Sequence, residues 1–303
     1  MTRWPNLFIA GAPRCGTTSL HVWLPSIPGI FMSRIKEPNF FSRRVIGNHH
    51  PMVKPIRDEG EYLNLFSAAN GSRFVGEATP FYLQDPEAPT EIKRKSPDAR
   101  VIVSLRDPVE RLYSHYLMMR NNMANMGSFS EEIERGLLQS DNRNLAVLDP
   151  SIGLYSRQIE RYRREFGNQS FKVLVLEEWS RDAVRTLRSI SAFLGLQSVL
   201  NGFDAPPQRR YGEARGSVVR FVFGNRQLSR ASEALIPLRV RKFIRNALLV
   251  KEVPKPPMDP RARKFLIDYY QNDVRRTQGL LGRRLPWPNF ENFEVQESTL
   301  LAG

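Results

Sequence analysis

One stretch near the start of the chain constrains the fold more than any other. Leu7-Phe8-Ile9-Ala10 reads as a buried strand, Gly11-Ala12-Pro13-Arg14-Cys15-Gly16 as a turn, and Thr17 to Leu24 as a helix stopped by Pro25. Gly11 and Gly16 have the separation of G-x-x-x-x-G-K-[ST], a loop whose backbone N–H groups converge on a phosphate. The start of the helix adds partial positive charge, and Thr17 and Thr18 add hydroxyl donors. The departure from the pattern is informative. Thr17 stands where a lysine reaches the β and γ phosphates of a nucleoside triphosphate, and a cation comes earlier instead, at Arg14. No strand-end aspartate is well placed for Mg²⁺. The loop reads as built for a phosphate but not for a triphosphate–Mg²⁺ complex; the plainer alternative is an ordinary glycine-containing turn.

The pattern of short apolar strands alternating with helical segments predicts an α/β fold on a mainly parallel sheet. Further strands are expected at Phe74–Glu77, Val101–Leu105 and Phe171–Leu176. Helices are expected at Tyr62–Ala69, Glu91–Lys95, Pro108–Arg120, Phe129–Leu138, Leu154–Phe166, Ala183–Leu194 and Asp259–Leu281. Residues 25–60 and 200–220 read as loops, 251–260 as a Pro-rich connector and the tail after Trp287 as irregular. Without repeats or a clear linker, the chain reads as one domain over 1–303, its core spanning about 5–288 and its irregular tail 289–303.

The 303 residues carry 45 Lys+Arg against 31 Asp+Glu, a formal net charge of +14, and 41% are hydrophobic, which excludes a disordered chain. No apolar run approaches a membrane span. The single Cys15 excludes an internal disulfide framework and a multi-cysteine metal site. With no signal peptide read at the start, a soluble, cytoplasmic protein is expected. The positive charge is either a solvated surface or a match for a polyanionic partner: a phosphorylated cofactor, an acidic carrier protein, a membrane surface or nucleic acid. No nucleic-acid-binding signature accompanies it, so nucleic acid is not expected. After Pro237, Arg239, Arg241, Lys242 and Arg245 interleave with apolar residues. A basic amphipathic helix over 238–249 would suit an acidic carrier or an anionic membrane surface; otherwise it packs with a solvated basic face.

A second anion site is suggested at Val101-Ile102-Val103-Ser104-Leu105-Arg106-Asp107-Pro108. Arg106 falls at the carboxyl end of a buried strand, where open α/β sheets place ligands, and its guanidinium suits a bidentate phosphate contact. Ser114 follows about two helical turns on. Alone, Arg106 reads as an ion-pair partner of Asp107 or Glu110. Together the two sites look different. Gly-Ala-Pro-Arg-Cys-Gly-Thr-Thr-Ser-Leu at 11–20 and Ser-Leu-Arg-Asp-Pro-Val-Glu-Arg-Leu-Tyr-Ser-His-Tyr at 104–116 resemble the sulfotransferases that use 3′-phosphoadenosine 5′-phosphosulfate (PAPS). Lys36-Glu37-Pro38-Asn39-Phe40-Phe41, Gly76-Glu77-Ala78-Thr79-Pro80, the run from Gly153-Leu154-Tyr155 to Phe166 and the closing Leu266 to Trp287 extend the resemblance over about residues 5–288. Its glycan and heparan branch is the nearest in pattern.

The resemblance implies a P-loop-like three-layer α/β fold, a bacterial protein by architecture, and transfer of a sulfuryl group from PAPS to an acceptor hydroxyl with no metal required. Carried over, Arg14, Cys15, Gly16, Thr17, Thr18 and Ser19 would form the loop holding the 5′-phosphosulfate, with Arg14 where the family often has lysine. Arg106 and Ser114 would hold the 3′-phosphate. The loop at 208–217, with Tyr211, Arg215 and Gly216, resembles the basic loop that closes over that phosphate, and otherwise reads as solvated. Sulfuryl transfer needs a base on the acceptor and cations on the transferring group and leaving phosphate. Glu37, in the family's Lys-Glu-x-x-Phe-Phe segment, is the preferred base, with Lys36 and Arg14 as the cations; Glu77 is the rival carboxylate. His21 is read as packing and Tyr155 as a ligand-side or core residue. Ala78 stands where some glycan sulfotransferases have lysine, so one substrate-facing cation is missing. The acceptor reads as a glycan, a lipid, a carrier-bound group or a small metabolite. A nucleotide-dependent phosphotransferase and a non-catalytic anion binder are the alternatives.

Overall fold

A computed structural model describes residues 3–43, 55–123, 126–139, 148–197, 212–214, 250–252 and 254–291. Five strands form one all-parallel sheet in the order β2-β3-β1-β4-β5. They are β1 (Leu7–Gly11), β2 (Ile30–Met32), β3 (Phe74–Ala78), β4 (Arg100–Leu105) and β5 (Phe171–Val175). Every residue of β1 is buried, as is every residue of β3. Near-continuous apolar runs of this kind belong to parallel strands covered on both faces. β1 pairs Phe8 with Glu77 of β3 and Val101 of β4, and its register with β4 shifts between Ile9 and Gly11. The chain leaves β1 toward the β2 edge and leaves β4 toward the β5 edge. The carboxyl ends of β1 and β4 therefore flank a topological switch point, where a parallel sheet opens a crevice.

The helices are α1 (Thr17–Trp23), α2 (Glu59–Asn64), α3 (Ala88–Lys95), α4 (Pro108–Asn122), α5 (Phe129–Gln139), α6 (Ser156–Ser170), α7 (Leu176–Trp179), α8 (Ala183–Leu194) and α9 (Pro260–Leu281). Side-chain caps fix two starts: Asp58 accepts from Glu61 N at 2.7 Å before α2, and Asp182 from Arg185 N at 2.8 Å before α8. Gly195 ends α8 in the left-handed conformation that a C-terminal glycine supplies. Leu7, Ile9, Leu20, Trp23, Ile102, Trp179 and Leu187 share one core cluster.

The chain divides into two compact units: Met1–Arg111, Ser151–Pro206 and Leu266–Gly303 in one, Leu112–Pro150 and Pro207–Phe265 in the other. The first contains the parallel sheet. In the second, Tyr113, Tyr116 and Phe129 pack their rings at 5.0–6.1 Å, and β6 (Gly212–Ala214) pairs antiparallel with β7 (Val250–Glu252).

Several expectations are corrected. Residues 25–60 are not only loop: Ile30–Met32 forms the edge strand β2, whose three residues are too few for a periodic signal. Residues 212–214 are likewise a strand. The helix expected at Tyr62–Ala69 starts earlier, at Glu59, because Asp58 caps it. The segment after Trp287 is not irregular from its outset, since Pro288–Phe290 makes a 3-10 turn and the Asn289 side chain donates to Asp107 Oδ2 at 2.8 Å. The basic stretch 238–249 lies outside the described residues.

Candidate active site

The loop between β1 and α1 is pinned from below. Ala12 N donates to Ser104 O at 2.7 Å, and Ser104 Oγ donates to Cys15 O at 2.7 Å. Trp179 Nε1 donates to Ser104 Oγ at 2.8 Å, so a tryptophan after β5 ties the end of β4 to the loop. The Trp179 ring also explains Gly16. A Cβ built there would lie 2.4 Å from a ring carbon, and Gly16 sits at φ +78°, a conformation that disfavours any side chain. Helical hydrogen bonding begins at Ser19 N and Leu20 N, both donating to Gly16 O. The N–H groups of the turn before them have no acceptor within the helix. Thr17 is buried, Thr18 exposed and Ser19 half-buried.

Arg14 is exposed at the tip of the loop and also adopts left-handed backbone, φ +67°. For a non-glycine residue that strain persists only where the surroundings fix it, and such residues gather at functional sites. Cys15 contributes through its backbone, because its side chain is wholly buried. Burial pushes its thiol up to about 12 against the downward pull of Arg111 and Arg106. It is a neutral packing group at ordinary pH.

Arg106 follows β4, half-buried, and its Nη1 donates to Arg14 O at 3.4 Å, so the second nominated cation borders the first loop. Its backbone is held from behind, where Tyr155 OH donates to Arg106 O at 3.0 Å. Tyr155 is thus a wholly buried support residue, itself fixed where Tyr155 N and Ser156 N donate to Asp273 at 2.6 and 3.2 Å. Asp107 caps α4 by accepting from Val109 N and Glu110 N, at 3.0 and 3.3 Å. Its own N–H donates to Glu177 Oε1 at 3.1 Å. Burial raises the Glu177 carboxyl, and hydrogen bonds and the Arg106 charge pull it back. Ser114 is half-buried on α4, in the stretch belonging to the second unit. Tyr211, Arg215 and Gly216 lie outside the described residues.

The turn carrying Lys36 and Glu37 follows β2 and docks on the end of β3, with Glu37 N donating to Ala78 O at 3.0 Å. Lys36 Nζ forms an ion pair with Glu37 Oε1. Glu37, at φ +61°, and Asn39, at φ +56°, are with Arg14 the non-glycine residues of positive φ among the described residues. Glu37 is half-buried with an accessible carboxylate. Glu77, the rival, has no exposed surface and accepts from three hydroxyls, Tyr62, Tyr82 and Thr79. Lys36 also acts on α1. Burial, then the Lys36 charge, lowers His21 to about 4, so the imidazole is neutral.

Sequence reasoning missed Trp179, Ser104, Asn289 and Tyr62, which support the site rather than line it. None carries a motif of its own, and their partners lie 15 to 182 positions away, out of reach of any local pattern: Ser104 for Trp179, Cys15 for Ser104, Asp107 for Asn289 and Glu77 for Tyr62.

Fold and site together define a class: an α/β protein with an anion loop after β1, a strand-end arginine after β4, and an accessible Lys–Glu pair beside β3. The sulfotransferase domain family matches residues 5–278, and the chain belongs to it. It is 28% identical over 246 residues to carbohydrate sulfotransferase 15 of Homo sapiens, covering 63% of this chain and 44% of that protein. It is 29% identical over 201 residues to heparan sulfate glucosamine 3-O-sulfotransferase 3B1 of Mus musculus, covering 65% of this chain and 47% of that protein. The chain thus spans under half the length of these curated relatives. A solved sulfotransferase from Alicyclobacillus acidocaldarius superposes with a TM-score of 0.70 at 28% identity, covering 93% of this chain and 97% of that one. Among the described residues no helix is long and apolar enough to cross a membrane.

Proposed function

We propose that this chain transfers the sulfuryl group of PAPS to a hydroxyl on a sugar-bearing acceptor. One observation carries the reading: at the carboxyl ends of the adjacent strands β3, β1 and β4 stand the Lys36–Glu37 turn, docked on β3 from β2, the Arg14 loop and Arg106. The donor set suits the cofactor. The loop offers an exposed cation, the hydroxyls of Thr18 and Ser19 and turn N–H groups, with no carboxylate among residues 12–19. When bound, PAPS supplies a sulfuryl group on a phosphate leaving group, which makes transfer downhill.

Arg14 and the loop from Gly16 to Ser19 hold the 5′ side and neutralise the leaving phosphate. Arg106, at the carboxyl end of β4, holds the 3′-phosphate. Glu37 accepts the acceptor's proton at its accessible carboxylate oxygen. Lys36 pairs with Glu37 and offers positive charge to the transferring oxygens. Glu77 cannot serve as the base without breaking the hydroxyl bonds that bury it. A sugar acceptor is supported by the carbohydrate named in the two curated relatives, and Ala78 favours one of low negative charge. A reducing, cytoplasmic setting fits the lone cysteine.

Calorimetric titration with adenosine 3′,5′-bisphosphate, beside a separate titration with ATP and Mg²⁺, tests the cofactor. Tight metal-independent binding of the bisphosphate is expected. Preference for ATP–Mg²⁺ would overturn the reading in favour of a phosphotransferase.

A further inference from the structure

The turn that carries Glu37 is fastened through two chains of hydrogen bonds that end on one carboxyl group. Asn39 N donates to Thr79 Oγ1 at 3.4 Å, and Thr79 Oγ1 donates to Glu77 Oε2 at 2.6 Å. Phe41 N donates to Tyr82 OH at 3.4 Å, and Tyr82 OH donates to Glu77 Oε1 at 2.6 Å. Tyr62 OH adds a third donor, to Oε1 at 2.8 Å. The Thr79 and Tyr82 hydroxyls thus each accept from a backbone N–H on one side and donate a hydrogen bond to Glu77 on the other. We propose that Glu77 is a positioning residue: ionised, it polarises both hydroxyl relays and holds the left-handed Glu37–Asn39 turn in working geometry. The proposal rests on Glu37 being the base.

An ionised carboxylate accepts from all three hydroxyls at once. A protonated one must give a hydrogen to one neighbour, whose own hydrogen then needs another acceptor. The ionised form therefore serves all three hydroxyls together and polarises both relays most strongly. The groups facing Glu77 are Tyr62 from α2, Tyr82 from the turn after β3, Tyr162 from α6 and Lys36 from the turn itself. Burial pushes all three phenols well above their ordinary value, so none of them titrates first. Burial also pushes Glu77 up to about 7, against the pull of its three hydroxyls and of Lys36. The switch between the two forms falls in the physiological range.

Backbone amide hydrogen exchange on the full chain tests this without an acceptor. Exchange at Asn39 and Phe41 is followed from pH 5.5 to 8.5 and divided by the intrinsic rate at each pH, with Ile9 and Val103 as core references. In the native protein, protection at both amides should rise by roughly 2- to 10-fold on ionisation, the worth of one hydrogen bond, with a midpoint near 7. Glu77→Gln should flatten the profile at the low value. Thr79→Val should lower protection at Asn39 and spare Phe41, and Tyr82→Phe the reverse. This arm-specific loss keeps the test alive where Glu77→Gln does not fold. A flat native profile, or equal loss at both amides in each single-arm variant, would overturn the proposal. Either exchange result stands whether or not Glu37 is the base, which turnover of Glu37→Gln decides separately.

Discussion

Arg14 and Glu37 show what one residue's backbone can reveal. Both sit in the left-handed region without being glycine, and both were nominated from sequence pattern alone. Glu37→Gln should leave bisphosphate affinity intact and cut turnover by roughly 10²- to 10⁴-fold, the weight of a general base, measured as bisphosphate release from PAPS with an acceptor present. Near-normal turnover would move the base elsewhere. Arg106→Ala should weaken bisphosphate binding by roughly 10- to 100-fold in calorimetry, because a phosphate loses a charged donor; unchanged affinity would remove Arg106 from the site. Arg14 was legible from its place in the glycine loop, whereas Arg106 and Glu37 became legible only through the resemblance of their segments to the family. Glu77 was visible as a carboxylate but not as an anchor. Its three donors come from positions 62, 79 and 82, and only the packing of α2 on the sheet brings them together.

At the scale of elements, strands with long apolar runs announced themselves, and α8 was legible to the residue because Asp182 and Gly195 mark its ends. β2 was hidden because its three residues are defined by pairing with β3. The turn at 37–42 shows how a short element without periodicity is fixed. Arg57 donates to Asn39 O, Phe40 O and Ser42 O at 2.9–3.3 Å, so a guanidinium holds the carbonyls while the hydroxyl relays hold the N–H groups. Phe40 stacks on Tyr62 at 4.3 Å, and Phe41 meets Phe8 and Tyr82 edge-on. The loop after β1 has a comparable dependence. Gly16→Ala should destabilise the protein by about 1–3 kcal/mol, since both the positive φ and the Trp179 ring oppose a Cβ, as urea denaturation would read. An unchanged midpoint would mean that the ring moves aside freely.

For the whole molecule, the buried carboxyl ties stability to pH. Burial pushes Glu77 up to about 7 in the folded protein, from the 4.5 ordinary for a glutamate in the unfolded chain. Below about 4.5 both states keep the proton and its stabilising effect is complete. Between 4.5 and 7 the unfolded chain loses the proton while the folded protein keeps it, so stability falls as pH rises, and above 7 the benefit is gone. Urea denaturation from pH 5 to 8 should show the native protein losing about 3 kcal/mol relative to Glu77→Gln, and a constant difference would contradict it. The form that best orders the turn is then the one that stabilises the fold least. Trp179 carries a last consequence. Its indole lies against Gly16 and crosses Trp23 edge-to-face at 5.5 Å, so an optical probe is built into the floor of the anion loop. Phosphate charge arriving above it shifts the field across the ring. Ultraviolet-excited emission should therefore change in colour or intensity as the bisphosphate is added, and Trp179→Phe should abolish that response while Trp4→Phe preserves it.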